Sequence, residues 1–310
     1  MNMLNAEPTP IRNDTSESKP NVTRQTTADS NESTQMCHAE ETTSELREKT
    51  GYVMMLDILG FKEHISKTGL TGFFKFWKEL RYQIILTCAI LNNDKHSDCV
   101  IDTMFLSDTI VICVSRGSYN PDSCENLIEK VSLILDIVYL PSVQKRFFFR
   151  GAISFGKFVC DVESNIAMGD AIIEAYEWYS ATEWIGVILS PSAKYAVDRL
   201  HLDEPLNRKC HEEIDNNFVL YKAPLKSGNS LLTYAYIWFA VSSDNTANGN
   251  TLLFILENLT TQSFTTSIVS KYENTLAFVR SVLDVDIDKY RIDASIIIEA
   301  IMNFPQQNNS

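Results

Sequence analysis

The sequence predicts an α/β sandwich in which helices cover a mixed β-sheet, and three observations predict it. Short apolar runs at strand period alternate along the chain with longer stretches in which apolar residues recur every three to four positions. These segments follow the order strand, helix, hairpin, helix, hairpin, helix, strand, a pattern that packs helices onto a sheet. Among 310 residues, 45% are apolar and 10% aromatic, enough for one large or two ordinary domains with a sizeable core.

Residues 1–48 are rich in Thr, Ser, Asn, Glu and Pro and poor in large apolar side chains, so they read as a disordered tail. The first strand, Tyr52 to Leu56, is an apolar run that ends in Asp57-Ile58-Leu59-Gly60-Phe61. Leu70, Phe73, Phe74, Phe76, Trp77, Leu80, Ile84, Ile85, Cys88 and Leu91 then predict one or two amphipathic helices reaching Asn92. After a polar loop, Val100 to Val114 reads as a hairpin with Ser107-Asp108 near its turn. Asn120-Pro121-Asp122 opens a helix whose buried stripe is Leu127, Val131, Ile134, Leu135 and Val138. Phe147 to Gly156 is a strand, with Gly156-Lys157 expected to turn into a partner ending near Cys160.

Ile166 to Asp170 is expected to start a helix through Trp178, Ile185 to Leu189 to be a strand, and Ser190-Pro191 to begin a helix to about Leu200. Phe218 to Tyr221 and Leu231 to Ala240 are late strands, and the end is helical over Thr251 to Leu283 and Asp293 to Asn303. The expected organisation is therefore a tail over 1–48, a catalytic domain over 49–241 and a helical extension over 242–310.

The formal charge of −13 argues against long nucleic acid as a partner, because backbone binding needs clustered cations, and leaves room for a small anionic ligand if metal supplies the positive charge. No apolar run approaches the roughly 20 residues of a membrane span, and the N-terminus lacks the apolar core of a secretory signal. Seven scattered cysteines without CxxC spacing point to free thiols in a reducing, cytoplasmic setting and away from zinc. His64, His96, His201 and His211 lie in polar stretches without ligand spacing and read as surface residues.

The chemistry concentrates in the two acids. A carboxylate carried to the end of so apolar a strand must be paired, hydrogen-bonded or bound to metal. Two such acids side by side repel, and a shared divalent cation relieves the repulsion. Asp57 and Asp108 are therefore expected on neighbouring strands, gripping the same metal. The blander readings are a helix cap for Asp57, a turn residue for Asp108 and a strand-end surface cation for Arg150.

Four segments in order carry a resemblance. Asp57-Ile58-Leu59-Gly60-Phe61 resembles the D-I-x-G-F segment of class III nucleotide cyclases, and Ser107-Asp108 stands where that family has Gly-Asp. Arg150 to Gly156 is similar to its R-x-G-I-x-x-G strand, and Gly169 to Ala175 to its W-G-x-x-V-N-x-A segment. The resemblance covers about residues 50–190 and implies a class III cyclase-like mixed sheet flanked by helices. It implies two divalent ions, Mn²⁺ or Mg²⁺, held by Asp57 and Asp108 with the Ile58 carbonyl, and phosphates received by the amides of Gly60 and Phe61. The reaction implied is attack of a ribose 3′-hydroxyl on the α-phosphorus with loss of pyrophosphate. A head-to-tail homodimer with composite sites is implied as well.

The departures from the family narrow the reading. The base-recognition positions fall on Met104 and Ile166, and the transition-state Asn and Arg fall on Ile173 and Glu177. Met104 and Ile166 are expected in the core, and Glu174 and Glu177 on a solvated helix face. Arg150 is the candidate replacement cation, with Lys157 or Arg146 as substitutes. The altered base pocket is similar to the pyrimidine cyclases of bacterial Pycsar antiphage systems, which make cyclic CMP or cyclic UMP for an effector protein. The alternatives are a non-catalytic cyclase-fold dimer that senses nucleotides or scaffolds partners, and a palm-type nucleotidyl transferase, which the missing GGDEF-like signature disfavours.

Overall fold

The computed structural model of the chain describes residues 47–93, 98–117, 127–145, 147–202, 217–240 and 266–285. The tail through residue 46, the cap at 120–122, Arg146, His96, His211, Cys37, Cys124, Cys210 and the helix expected from Asp293 lie outside the described residues, as do the side chains of His64 and His201.

The chain forms an eight-stranded mixed sheet flanked by helices. Its strands are β1 (Lys49–Ile58), β2 (Cys99–Leu106), β3 (Thr109–Arg116), β4 (Phe149–Asp161), β5 (Ile166–Met168), β6 (Gly186–Leu189), β7 (Phe218–Pro224) and β8 (Ser230–Tyr236). The helices described are α1 (Phe61–Asn92), α2 (Leu127–Gln144), α3 (Asp170–Ala181), α4 (Pro191–Leu202) and α5 (Thr266–Val285). The sheet order is β2-β3-β1-β4-β6-β8-β7, with β5 paired to β4. All pairings are antiparallel except β4 with β6. The sheet is mixed because α3 separates β4 from β6 and lets the chain return in the same direction.

The strands at the centre are apolar on both faces, as a sheet covered on both sides requires. Along β1, Tyr52, Met54, Leu56 and Ile58 point into the larger core, with Phe73, Phe76, Leu80, Ile84 and Cys88 of α1 and the α2 stripe. Val53 and Met55 point the other way, against Ala171 and Ala175 of α3. Each fully buried aliphatic side chain in these layers contributes about 1.5–3 kcal/mol.

Several local expectations change. Leu70, Phe74 and Ile85 are exposed, so the predicted α1 stripe is narrower than the run of apolar residues suggested. Gly69, at φ 74° and ψ 156°, breaks α1 into two helical pieces. No turn forms at Gly156-Lys157: β4 continues to Asp161, and Gly156 pairs with Gly51 inside the ladder. The hairpin partner is β5 instead, so Ile166 to Met168 is a strand and α3 starts only at Asp170, after Gly169 at φ 128°. Ile166 is 43% exposed rather than in the core. The late strand ends at Tyr236, followed by a 3₁₀ turn over Trp238–Ala240.

Helix α5 is anchored through Phe278, whose ring lies 4.6 Å from Trp184, 4.9 Å from Tyr221 and 5.7 Å from Phe239. The Ile185 amide donates to Thr275 Oγ1 at 2.9 Å, and Asn274 Nδ2 donates to the Glu183 carbonyl at 2.7 Å. These bonds tie α5 to the segment that enters β6.

Candidate active site

Strand periodicity sets the first acid. Val53 and Met55 face α3, and a period of two puts Asp57 on that same face at the strand's end. In the ladder Asp57 sits opposite Thr109 of β3 on one side and Arg150 of β4 on the other. Asp108 directly precedes Thr109 in the two-residue turn joining Leu106 to Thr109. Its carbonyl accepts the Ile58 amide at 3.2 Å, so both acids stand at one edge on neighbouring strands. Ser107 takes a left-handed φ of 58° in this turn, a conformation that favours glycine.

Arg150 closes the other side. Its Nε donates to Asp57 Oδ2 at 2.9 Å, and a terminal guanidinium nitrogen lies at the same distance from that oxygen. The two side chains are only 18% and 14% exposed. The Tyr179 ring lies 5.7 Å from the guanidinium and covers it. Burial holds the Asp57 carboxyl above its ordinary range despite the opposing pull of Arg150, and the charge of Asp108 pushes the same way.

The local backbone adds amides. Gly60 precedes α1 at φ 73° and makes no side-chain cap bond, so the positive end of the α1 dipole begins three residues after Ile58. The donor set of two carboxylates and the Ile58 carbonyl is all hard oxygen, which suits Mg²⁺ or Mn²⁺ rather than zinc. No group of three or more His, Cys, Asp or Glu gathers among the described residues, so a cation here would complete its shell with water or phosphate oxygens.

Other expected residues lie elsewhere. Lys157 pairs with Glu48 at 2.7 Å, seven residues along β4 from Arg150, or about 23 Å at strand rise. Met104 is buried in the smaller core at 4% exposure. Ile173 is 57% exposed, and Glu177 is exposed on the same helix. Glu174 is no solvated acid: it accepts the Ser192 amide at 3.1 Å and so caps α4.

Sequence reasoning missed Lys226 and Tyr179. Lys226 sits in the turn between β7 and β8, its amide bonded to the Ala181 carbonyl at 2.8 Å and its Nζ donating to the Ser180 carbonyl. Its ammonium interacts with both Arg150 and Asp57. The turn signal Lys226-Ser227-Gly228-Asn229 was legible, but nothing local says that this turn folds toward β1.

No family model and no curated protein matches the chain. Among solved structures it resembles the catalytic core of a rhodopsin-guanylyl cyclase with converted specificity in complex with ATPalphaS, at 15% identity and a TM-score of 0.41, over 62% of this chain and 98% of that one.

Proposed function

We propose that the chain is a nucleotide cyclase converting a pyrimidine triphosphate, CTP or UTP, to the 3′,5′-cyclic mononucleotide and pyrophosphate. The observation that carries this reading is the placement of Asp57 and Asp108 on adjacent strand ends beneath the uncapped start of α1. Asp57, Asp108 and the Ile58 carbonyl would hold the divalent ions, which when bound supply charge neutralisation and a more acidic ribose hydroxyl. The amides at Gly60 and Phe61 receive and orient the phosphates. Arg150 fixes the Asp57 rotamer through Oδ2 and offers positive charge to the leaving pyrophosphate, with Lys226 nearby. In the reaction the 3′-oxygen bonds to the α-phosphorus, the bond from that phosphorus to the bridging oxygen breaks, and the hydroxyl proton passes to solvent.

Burial of Met104 removes it from any base contact and supports a pocket unlike that of the purine enzymes. Ile166, Met168, Ile173 and Tyr176 form an exposed apolar surface on β5 and α3, which supports a homodimer. The product would act as an antiphage signal for a downstream effector. Ile173 and Glu177, standing where the resembled family carries its transition-state Asn and Arg, favour a second reading, a non-catalytic cyclase-fold dimer that binds nucleotide without turnover. Incubating the protein with each of the four triphosphates and Mn²⁺, with product identification by mass spectrometry, separates the two. A cyclic mononucleotide with pyrophosphate is expected from CTP or UTP, lost in Asp57→Ala and in Asp108→Ala. Binding without product refutes the enzyme, and activity surviving either substitution refutes the assignment of the metal site to these two acids.

A further inference from the structure

A tyrosine on α3 completes the setting of Arg150. Ala171, Ala175 and Tyr179 recur every four residues along α3, which puts them on one ridge of the helix. Ala171 and Ala175 are buried against Val53 and Met55 of β1, so this ridge is the one that faces the sheet. Two small side chains let the helix lie close, and the third position, near its C-terminal end, brings a ring to Arg150. Tyr179 is itself half-buried and packs against both cores. The helix end is fixed by bonds of its own: Thr182 Oγ1 donates to the Tyr179 carbonyl at 2.9 Å, and the Lys226 amide donates to the Ala181 carbonyl at 2.8 Å.

The guanidinium carbon of Arg150 lies 5.7 Å from the Tyr179 ring centroid, within the reach of a cation–π contact. Its Nε and Nη2 both engage Asp57 Oδ2 at 2.9 Å. Neither Nη1 nor Asp57 Oδ1 makes a hydrogen bond to a described residue. One carboxylate oxygen is thus taken by the arginine while the other stays open to a cation, and one guanidinium nitrogen stays open to an anion. This division lasts only while the arginine keeps a single orientation. A long side chain gives up rotamer entropy to do so, and a second point of attachment offsets that cost. Asp57 holds two of the nitrogens, and the Tyr179 ring supplies the second point.

We propose that Tyr179 is a positioning residue: its ring pins the Arg150 guanidinium so that Asp57 keeps Oδ1 for the divalent ion and Nη1 is presented to the leaving pyrophosphate. The roles of the ion and of pyrophosphate rest on the cyclase reading, whereas the pinning of Arg150 does not.

A double-mutant cycle of Tyr179→Leu and Arg150→Met, from urea denaturation of the full chain in metal-free buffer, tests the contact without turnover. The unfolding constant of the double variant should be about fivefold smaller than the two single effects multiplied together, the size of a partly desolvated cation–π contact. Tyr179→Phe keeps the ring and should preserve the coupling. With CTP or UTP and Mn²⁺, Tyr179→Leu should lower kcat about tenfold and move KM less than twofold, because charge builds on the pyrophosphate only as the bond breaks. Tyr179→Phe should recover most of kcat, and Tyr179→Leu should cost nothing further in the Arg150→Met background. Tyr195→Leu, at an exposed position of α4, should leave kcat unchanged. Zero coupling in the cycle, a Tyr179→Phe as impaired as Tyr179→Leu, or an equal loss from Tyr179→Leu in the Arg150→Met background overturns the proposal. Coupling in a protein that forms no cyclic product sinks the cyclase reading and leaves the pinning of Arg150 standing, whereas cyclisation indifferent to Tyr179→Leu sinks this inference alone.

Discussion

The pair Arg150–Asp57 offers the sharpest test of the site's electrostatics, because it is buried enough to matter and open enough to survive mutation. Arg150→Met keeps much of the side-chain length and removes the charge. It leaves Asp57 at 14% exposure without the two contacts at 2.9 Å that oppose its desolvation. A fully buried pair broken on one side costs about 3–5 kcal/mol, and an exposed one at most about 1 kcal/mol. At this intermediate exposure the loss should be about 2 kcal/mol, or a fall in Tm of about 4–8 °C for a chain of this size. Asp57→Asn alone should cost less, since burial already disfavours the ionised acid. The double variant Arg150→Met with Asp57→Asn should be more stable than the sum of the singles implies. The assay is a double-mutant cycle from urea denaturation at neutral pH, with an expected coupling of about 1–2 kcal/mol. A coupling indistinguishable from zero would refute the claim that Arg150 acts through Asp57.

Three further outcomes follow from named geometry. Ser107→Gly relieves a left-handed φ of 58° and should stabilise the chain by about 1 kcal/mol in urea melts with activity retained. Phe278→Ala removes the ring that packs on Trp184 and Tyr221, so it should cost about 3–5 kcal/mol and expose α5 to protease. The raised proton affinity of Asp57 fixes two signs. Without metal, the folded state binds more protons than the unfolded one above pH 3.8, so this acid's contribution to stability falls as pH rises through its folded value. Mn²⁺ needs the ionised acid, so its affinity should rise with pH over the same window, and Asp57→Asn should flatten both trends.

The reach of sequence reading can be seen residue by residue. Tyr52 to Asp57 was legible because an apolar run at strand period carries its own burial, and Ser107-Asp108 because a turn is a local event. The α2 stripe was legible for the same reason, and all five of its residues are buried. Gly156 misled because glycine marks turns in most contexts, whereas here it lies within the ladder opposite Gly51. Ile166 misled because its apolar character says nothing about whether β5 has a layer above it. Glu174 misled because the helix it caps starts 17 residues later in the chain, at Pro191.

By itself, then, the sequence determined which segments bury themselves and that two of them end in an acid, since both depend on periodicity within a few residues. Only the tertiary structure decided what meets those acids. The register of β4 against β1 put Arg150 opposite Asp57, the sheet order brought Lys226 round on the β7–β8 turn, and aromatic packing through Phe278 docked α5 on Trp184. Each of these is a contact between segments far apart in the chain, fixed by the packing of the whole sheet, and no local pattern carries that information.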